Sequence, residues 1–162
     1  MKKTLLTFVS LCLFLGAFTV SAEDGKVYPG TMCHSNEEAL IQYTYTRAWN
    51  SSTSADIWFD CPVVKDSVAG YVTHSYAWVV DQNPSSGKDI NCTLYCLSSE
   101  LSTYTGWWTP TQYSSGSNAT PQKLTMGSVS CTTDYSLSMA CWIPRKWNGA
   151  ASGVAAYRVD ES

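Results

Sequence analysis

The sequence predicts an all-β protein, an antiparallel β-sandwich of about eight strands stabilised by disulfides. Three observations predict it. The chain beyond residue 22 divides into short runs of alternating apolar and polar residues, separated by clusters of Gly, Pro, Asn, Asp and Ser. Helical periodicity is hard to find there: Glu37-Glu-Ala-Leu-Ile41 could open one turn, but the β-favouring Tyr43-Thr-Tyr-Thr46 takes over. Six cysteines follow residue 22, an even number that in an exported chain reads as three disulfides.

The elements follow in order. Lys2 and Lys3 precede the apolar run Leu5 to Val20, and Val20-Ser21-Ala22 supplies compact residues at a cleavage site, so 1–22 reads as a secretory signal peptide. The run is short for a bilayer span, which argues against membrane insertion once the leader is cleaved. The mature chain, 23–162, is expected to be a single secreted β-sandwich domain, periplasmic or extracellular. Leu40 to Trp49 forms the first run. Asp56 to Val64 is the second, with Ile57, Phe59 and Cys61 on one face and Trp58 on the other. Gly70 to Asp81 ends in the turn-forming Gln82-Asn-Pro-Ser-Ser-Gly87. In Asp89 to Leu97, the residues Ile90, Cys92, Leu94 and Cys96 share a face. Tyr104 to Thr109 carries the adjacent Trp107 and Trp108. Lys123 to Val129 places Leu124 and Met126 together, Leu137 to Ile143 alternates inward with Trp142 outward, and Gly153 to Val159 closes the chain.

Without Lys2 and Lys3, eight basic residues face thirteen acidic ones, a formal charge of −5 with no basic cluster. Nucleic acid and anionic membrane surfaces are poor partners for such a surface. If the strand of Cys92 runs antiparallel to that of Cys141, the nested pairs Cys92–Cys141 and Cys96–Cys131 follow, leaving Cys33 for Cys61. Cys92 and Cys96 cannot bond each other within one straight strand, because four residues span about 13 Å.

Cys61-Pro-Val-Val-Lys-Asp66, Gly106-Trp-Trp-Thr109, Pro121-Gln-Lys-Leu124, Cys141-Trp-Ile-Pro144 and the closing Tyr157-Arg-Val-Asp-Glu161 resemble the motifs of a group of small secreted bacterial proteins. The resemblance covers most of the mature chain. It implies a single exported β-domain and says nothing of chemistry. Relative to the four-cysteine pattern of that group, Cys96 and Cys131 are additions, which fits their pairing together.

Catalysis finds no constellation. A nucleophile needs a base within reach, and only His34 and His74 are available, neither beside a serine elbow. His74 is placed mid-strand, facing the same way as Val72, Tyr76 and Trp78, and reads as a structural histidine. Paired carboxylates would suit glycoside hydrolysis. Glu37 and Glu38 diverge on a strand, however, and Asp56 and Asp60 are placed at strand boundaries, where turn-forming Asp is expected. Cysteine spacing gives no metal site, and no cofactor is implied. Ser35-Asn-Glu-Glu38 and Asp81-Gln-Asn83 could offer oxygen atoms to calcium, without its usual loop pattern.

Seven Trp and ten Tyr exceed what one sandwich core holds. Alternation sends Trp58, Trp142 and one of Trp107 and Trp108 outward; the other tryptophan of the pair is expected to seal the core. Tyr113 and Trp147 are placed in loops. Flat aromatic faces stack on sugar rings while neighbouring Ser, Thr, Asn and Gln bond hydroxyls. A non-enzymatic module that binds carbohydrate or a cell-surface component is the first expectation, with Trp107, Trp108, Tyr113 and Trp142 as ligand contacts. The alternative is a structural or assembly protein of the envelope or matrix, whose outward aromatics mediate self-association.

Overall fold

The computed structural model describes residues 24–66, 71–85, 87–98, 106–131 and 135–162. The expected signal peptide, residues 1–22, lies outside them, as does the start of the tryptophan run at Tyr104. Twelve strands and two 3-10 turns are described: β1 (Asp24–Pro29), β2 (Ile41–Thr44), β3 (Arg47–Asn50), β4 (Ile57–Val63), β5 (Tyr71–Asp81), β6 (Asn91–Ser98), β7 (Gly106–Trp108), β8 (Gln112–Tyr113), β9 (Asn118–Thr125), β10 (Val129–Ser130), β11 (Tyr135–Ile143) and β12 (Gly153–Glu161).

They form two antiparallel sheets. In the seven-stranded sheet the central β5 and β12 pair with each other; β5 also pairs with β9 and β10, β12 with β1 and β3, and β2 hangs on β3. The five-stranded sheet runs β4, β11, β6 and then β7, with β8 also pairing with β6. Alternation dictates this packing. β4 buries every second residue, so Ile57, Phe59, Cys61 and Val63 face inward. Leu137, Met139, Cys141 and Ile143 do the same on β11, and together with Val79, Val154 and Tyr157 of the other sheet they make one core.

Two tyrosines pin the sheets together at the β4 edge. Tyr28 and Tyr157 stack with centroids 4.9 Å apart; Tyr157 Oη donates to the Pro62 carbonyl at 2.6 Å, and Tyr28 Oη to that of Val64 at 3.2 Å. Burial pushes both hydroxyls above their ordinary pKa of 10.0, Tyr157 the further.

The disulfides join Cys33 to Cys61, Cys92 to Cys141 and Cys96 to Cys131, the same pairs that the antiparallel reading yields. Cys92 stands directly opposite Cys141 in register.

The fold class stands as the sequence predicts, and several elements differ in detail. The run Leu40 to Trp49 is a hairpin, turning at the left-handed Tyr45 (φ 54°) so that β2 lies back along β3. The run at Lys123 begins earlier, at Asn118, and breaks after Thr125, where Gly127 with φ 90° lets the chain turn into β10. Sequence reasoning does not find β1, β8 or the separate β10. Their few apolar residues leave little pattern, and the ladder to a neighbour makes them strands. His74 does not share a face with Val72. A register shift between Asp160 and Glu161 opposite this part of β5 leaves Val72 buried and His74 exposed beside Tyr76, 6.1 Å between ring centroids.

The tryptophan pair also departs from expectation. Neither ring seals the core: Trp107 and Trp108 are each 63% exposed. β7 is a three-residue edge strand, and Trp107, opposite the buried Cys96, is exposed at the sheet edge rather than packed in the core. Trp108, opposite Tyr95, lies on the outer face.

Candidate functional site

The outer face of the five-stranded sheet is built by the positions that β4, β11 and β6 do not bury. Cross-strand register places Trp58 opposite Trp142, Trp142 opposite Asn91, and Asn91 opposite Tyr113. One aromatic-rich row therefore crosses four strands, about 14 Å from first to last. A second row runs from Pro62 through Ser138 and Tyr95 to Trp108.

Two cavities lie along this face and share Trp58. The first, about 360 Å³, is lined by Trp58, Trp142, Tyr113, Asn91, Asp89 and Gly87. The second, about 380 Å³, is lined by Trp58, Asp60, Tyr95, Leu97, Ser138 and Ala140. Trp58 is 52% exposed and Tyr113 63%, so ring faces are open to a ligand. Apolar walls with a few placed polar groups are the usual make-up of a small-molecule site.

The groove is held from beneath. Asp81 is fully buried, and its carboxylate accepts hydrogen bonds from the Ser114 and Ser152 hydroxyls and from the backbone N–H of Asn83 and Ile90. Ser114 follows Tyr113, and Ile90 separates Asp89 from Asn91, so one buried carboxylate fixes the elements that carry three lining residues. These donors occupy the Asp81 oxygens that calcium would need. In the other acidic loop Glu38 stays exposed, and its Oε1 accepts the Ser35 N–H at 3.2 Å. Between β7 and β8, Thr109 is buried and bonds both ways with the Leu94 backbone, while Thr93 and Thr111 hydroxyls meet at 2.7 Å. That crossing sets Trp108 and Tyr113 on the same face.

Charge at the groove is acidic. Asp60 is not at a strand boundary; it sits mid-β4 on the outer face and accepts the Ser138 hydroxyl through Oδ1. Asp56 anchors the neighbouring rim, with Lys88 Nζ at 2.6 Å from Oδ2 and the Arg145 N–H on Oδ1 at 3.0 Å. Burial alone would raise the Asp56 pKa; the Lys88 and Arg145 hydrogen bonds outweigh it and hold the carboxyl below its ordinary 3.8. Lys88 Nζ also stands 5.3 Å from the Trp142 ring centroid.

Of the four expected ligand contacts, the structure brings Trp142, Tyr113 and Trp108 onto this face, with Tyr113 on β8 rather than in a loop. Trp107 stands apart from them, on the other side of β7. Trp58 faces outward as alternation requires, and its central position between the two cavities was not legible before β4 and β11 were paired. Tyr95, Asn91, Asp60 and Asp89 carry no motif; only alternation, with Phe59 and Cys61 on one run and with Ile90, Cys92, Leu94 and Cys96 on the other, marks them as outward.

The seven-stranded sheet carries aromatics too, and Tyr76, Trp78 and Trp49 among them lie beside cations, while Tyr71 is exposed. Lys123 Nζ lies 3.7 Å from the Tyr76 ring centroid and 5.8 Å from that of Trp78, and Arg47 stands 5.6 Å from that of Trp49. A third cavity of about 210 Å³ beside Trp49 is lined mainly by polar side chains.

No family model matches the sequence, and comparison with curated proteins gives no significant match. Among solved structures, the fold is similar to a low-affinity xylan-binding module, CBM86, of the xylanolytic gut symbiont Roseburia intestinalis. The TM-score is 0.53 at 11% identity, over 85% of this chain and 96% of that one. At that identity the likeness is one of fold.

Proposed function

We propose that this protein is a secreted, non-catalytic carbohydrate-binding module that holds a polysaccharide chain in the groove on the outer face of the five-stranded sheet. One observation carries the reading: two contiguous cavities share the exposed Trp58 and are walled by Trp142, Tyr113 and Tyr95, with Asn91, Ser138, Asp60 and Asp89 between the rings. The C–H-bearing face of a pyranose is apolar and stacks on an aromatic ring, while its rim hydroxyls require donors and acceptors. Rings interspersed with amide, hydroxyl and carboxylate groups meet both needs. The likeness in fold to a xylan-binding module supports the same reading and makes xylan the first ligand to try. Three disulfides and the expected signal peptide suit an extracytoplasmic site of action.

The test is affinity electrophoresis of the oxidised mature chain through gels holding soluble xylan, mannan, xyloglucan or mixed-linkage glucan, with light scattering on the same sample. Retardation by at least one glycan, weakened about tenfold or more in Trp58→Ala with circular dichroism unchanged, is the expected result. A concentration-dependent oligomer that no glycan retards would favour assembly through the exposed aromatics instead.

A further inference from the structure

The charge of the groove bears on which glycan it accepts, and this inference rests on the carbohydrate-binding reading. Two carboxylates, Asp60 and Asp89, line the cavities, one in each, and no Lys or Arg lines either. The described cations at the rim are engaged with other groups, although Lys88 Nζ also stands 5.3 Å from the Trp142 ring centroid. Lys88 Nζ is 2.6 Å from Asp56 Oδ2, and the Arg145 backbone bonds the same carboxylate while its guanidinium reaches the Ser54 carbonyl at 3.4 Å. On the seven-stranded sheet the polarity is reversed, since Lys123 lies over the aromatic rings there. On the groove side the comparable contact among the described residues is that of Lys88 with Trp142, and its charge is balanced by Asp56.

Carboxylates suit an uncharged sugar. Each oxygen accepts hydroxyl protons, and Ser138 takes only one of the roughly four lone-pair positions of Asp60. The same carboxylates oppose a uronate or sulfate, because a concave site with apolar walls focuses the field of the charges that line it. We infer that the groove is built for an uncharged polysaccharide and discriminates against anionic glycans of the same backbone, with Asp60 and Asp89 as the specificity-determining residues.

The experiment uses pairs of polymers that differ in charge: hydroxyethylcellulose with carboxymethylcellulose, arabinoxylan with carboxymethylated arabinoxylan, and methyl-esterified polygalacturonan with polygalacturonate. Dissociation constants of the mature oxidised chain are measured by affinity electrophoresis at low salt and at about 0.5 M NaCl, where the Debye length falls to a few ångströms. In the pair whose neutral member binds, the charged member is expected to bind about tenfold more weakly, and salt should narrow the gap. The double variant Asp60→Asn, Asp89→Asn should recover most of that loss, with an unchanged melting temperature showing that it folds. Equal or tighter binding of the charged member overturns the inference and leaves the binding function standing. So does a gap that survives the double substitution. Retardation by no polymer of any pair, nor by the xylan, mannan, xyloglucan and mixed-linkage glucan named above, would instead remove the binding function itself.

Discussion

The two sheets of the sandwich solve the same problem in different ways. The seven-stranded sheet has long central strands, β5 of eleven residues and β12 of nine, and needs no disulfide within it. Tyr76 and Trp78 on it lie under Lys123, and Trp49 under Arg47. The five-stranded sheet ends in the short β7 and β8, and every disulfide engages it: Cys61 on β4, Cys92 and Cys96 on β6, and Cys141 on β11. Of its outer rings, Trp58, Tyr113 and Trp108 are exposed, and Trp142 carries Lys88 at its side. If this face takes the proposed glycan, its rings must stay accessible, and order comes from beneath, from covalent links and from buried polar anchors such as Asp81. Pre-organisation of that kind reduces the ordering a flat ligand must impose when it binds.

Each part of this comparison can be broken by experiment. The largest effect is expected from the links under the groove. Replacing Cys92 and Cys141 with Ala should cost about 2–5 kcal/mol of stability in urea melts, and a loss below about 0.5 kcal/mol would show that the five-stranded sheet does not depend on them. Next is Asp81→Ala, which strands two hydroxyls and two backbone N–H groups in the core. About 3 kcal/mol is expected, with weaker glycan retardation in whatever fraction stays folded, because Tyr113 and Asn91 lose their common anchor.

A reciprocal pair of substitutions separates the two faces. Trp58→Ala should weaken glycan binding about tenfold, equivalent to about 1.4 kcal/mol, and leave the melting temperature nearly unchanged. Trp78→Ala should do the opposite, lowering stability by about 1–2 kcal/mol through lost packing and the lost Lys123 contact, with binding intact. If Trp78→Ala abolishes binding, the functional face has been placed on the wrong sheet.

The smallest effects lie at the ends of the pH scale. The folded pKa of Asp56 is depressed, so the stability it contributes is complete above its ordinary 3.8 and is lost as pH falls further. Asp56→Asn should flatten the acid limb of a plot of melting temperature against pH. The folded pKa values of Tyr157 and Tyr28 are raised, so their contribution is complete below 10.0 and is lost as pH rises beyond it. Tyr157→Phe should flatten the alkaline limb.

Much of the fold was legible in the chain, and the site only in part. The alternation in Ile57 to Val63 and in Leu137 to Ile143 gives strands, inner faces and the outward positions of Trp58 and Trp142 directly, because a pleated strand has a side-chain period of two whatever surrounds it. The same rule misled at Trp107 and Trp108. It says that adjacent residues diverge, and it is silent on whether a strand lies over the core or at its rim. β8 escaped for a related reason: two residues carry no period, and Gln112 and Tyr113 are a strand only because β6 offers them a ladder.

The amino-acid sequence by itself determined that this is a disulfide-bonded all-β chain with more aromatic surface than one core can bury. Those properties are set by local alternation, by composition and by cysteine count. Only the tertiary structure decided which rings meet. Trp58, Asn91, Tyr113 and Trp142 come from four strands far apart in the chain, and strand register alone aligns them in one row. It also decided that Lys123 lies over the rings of one sheet while Asp60 and Asp89 stand among those of the other. Lys123 stands opposite Trp78 across the β5–β9 ladder, and no short window of sequence contains both partners.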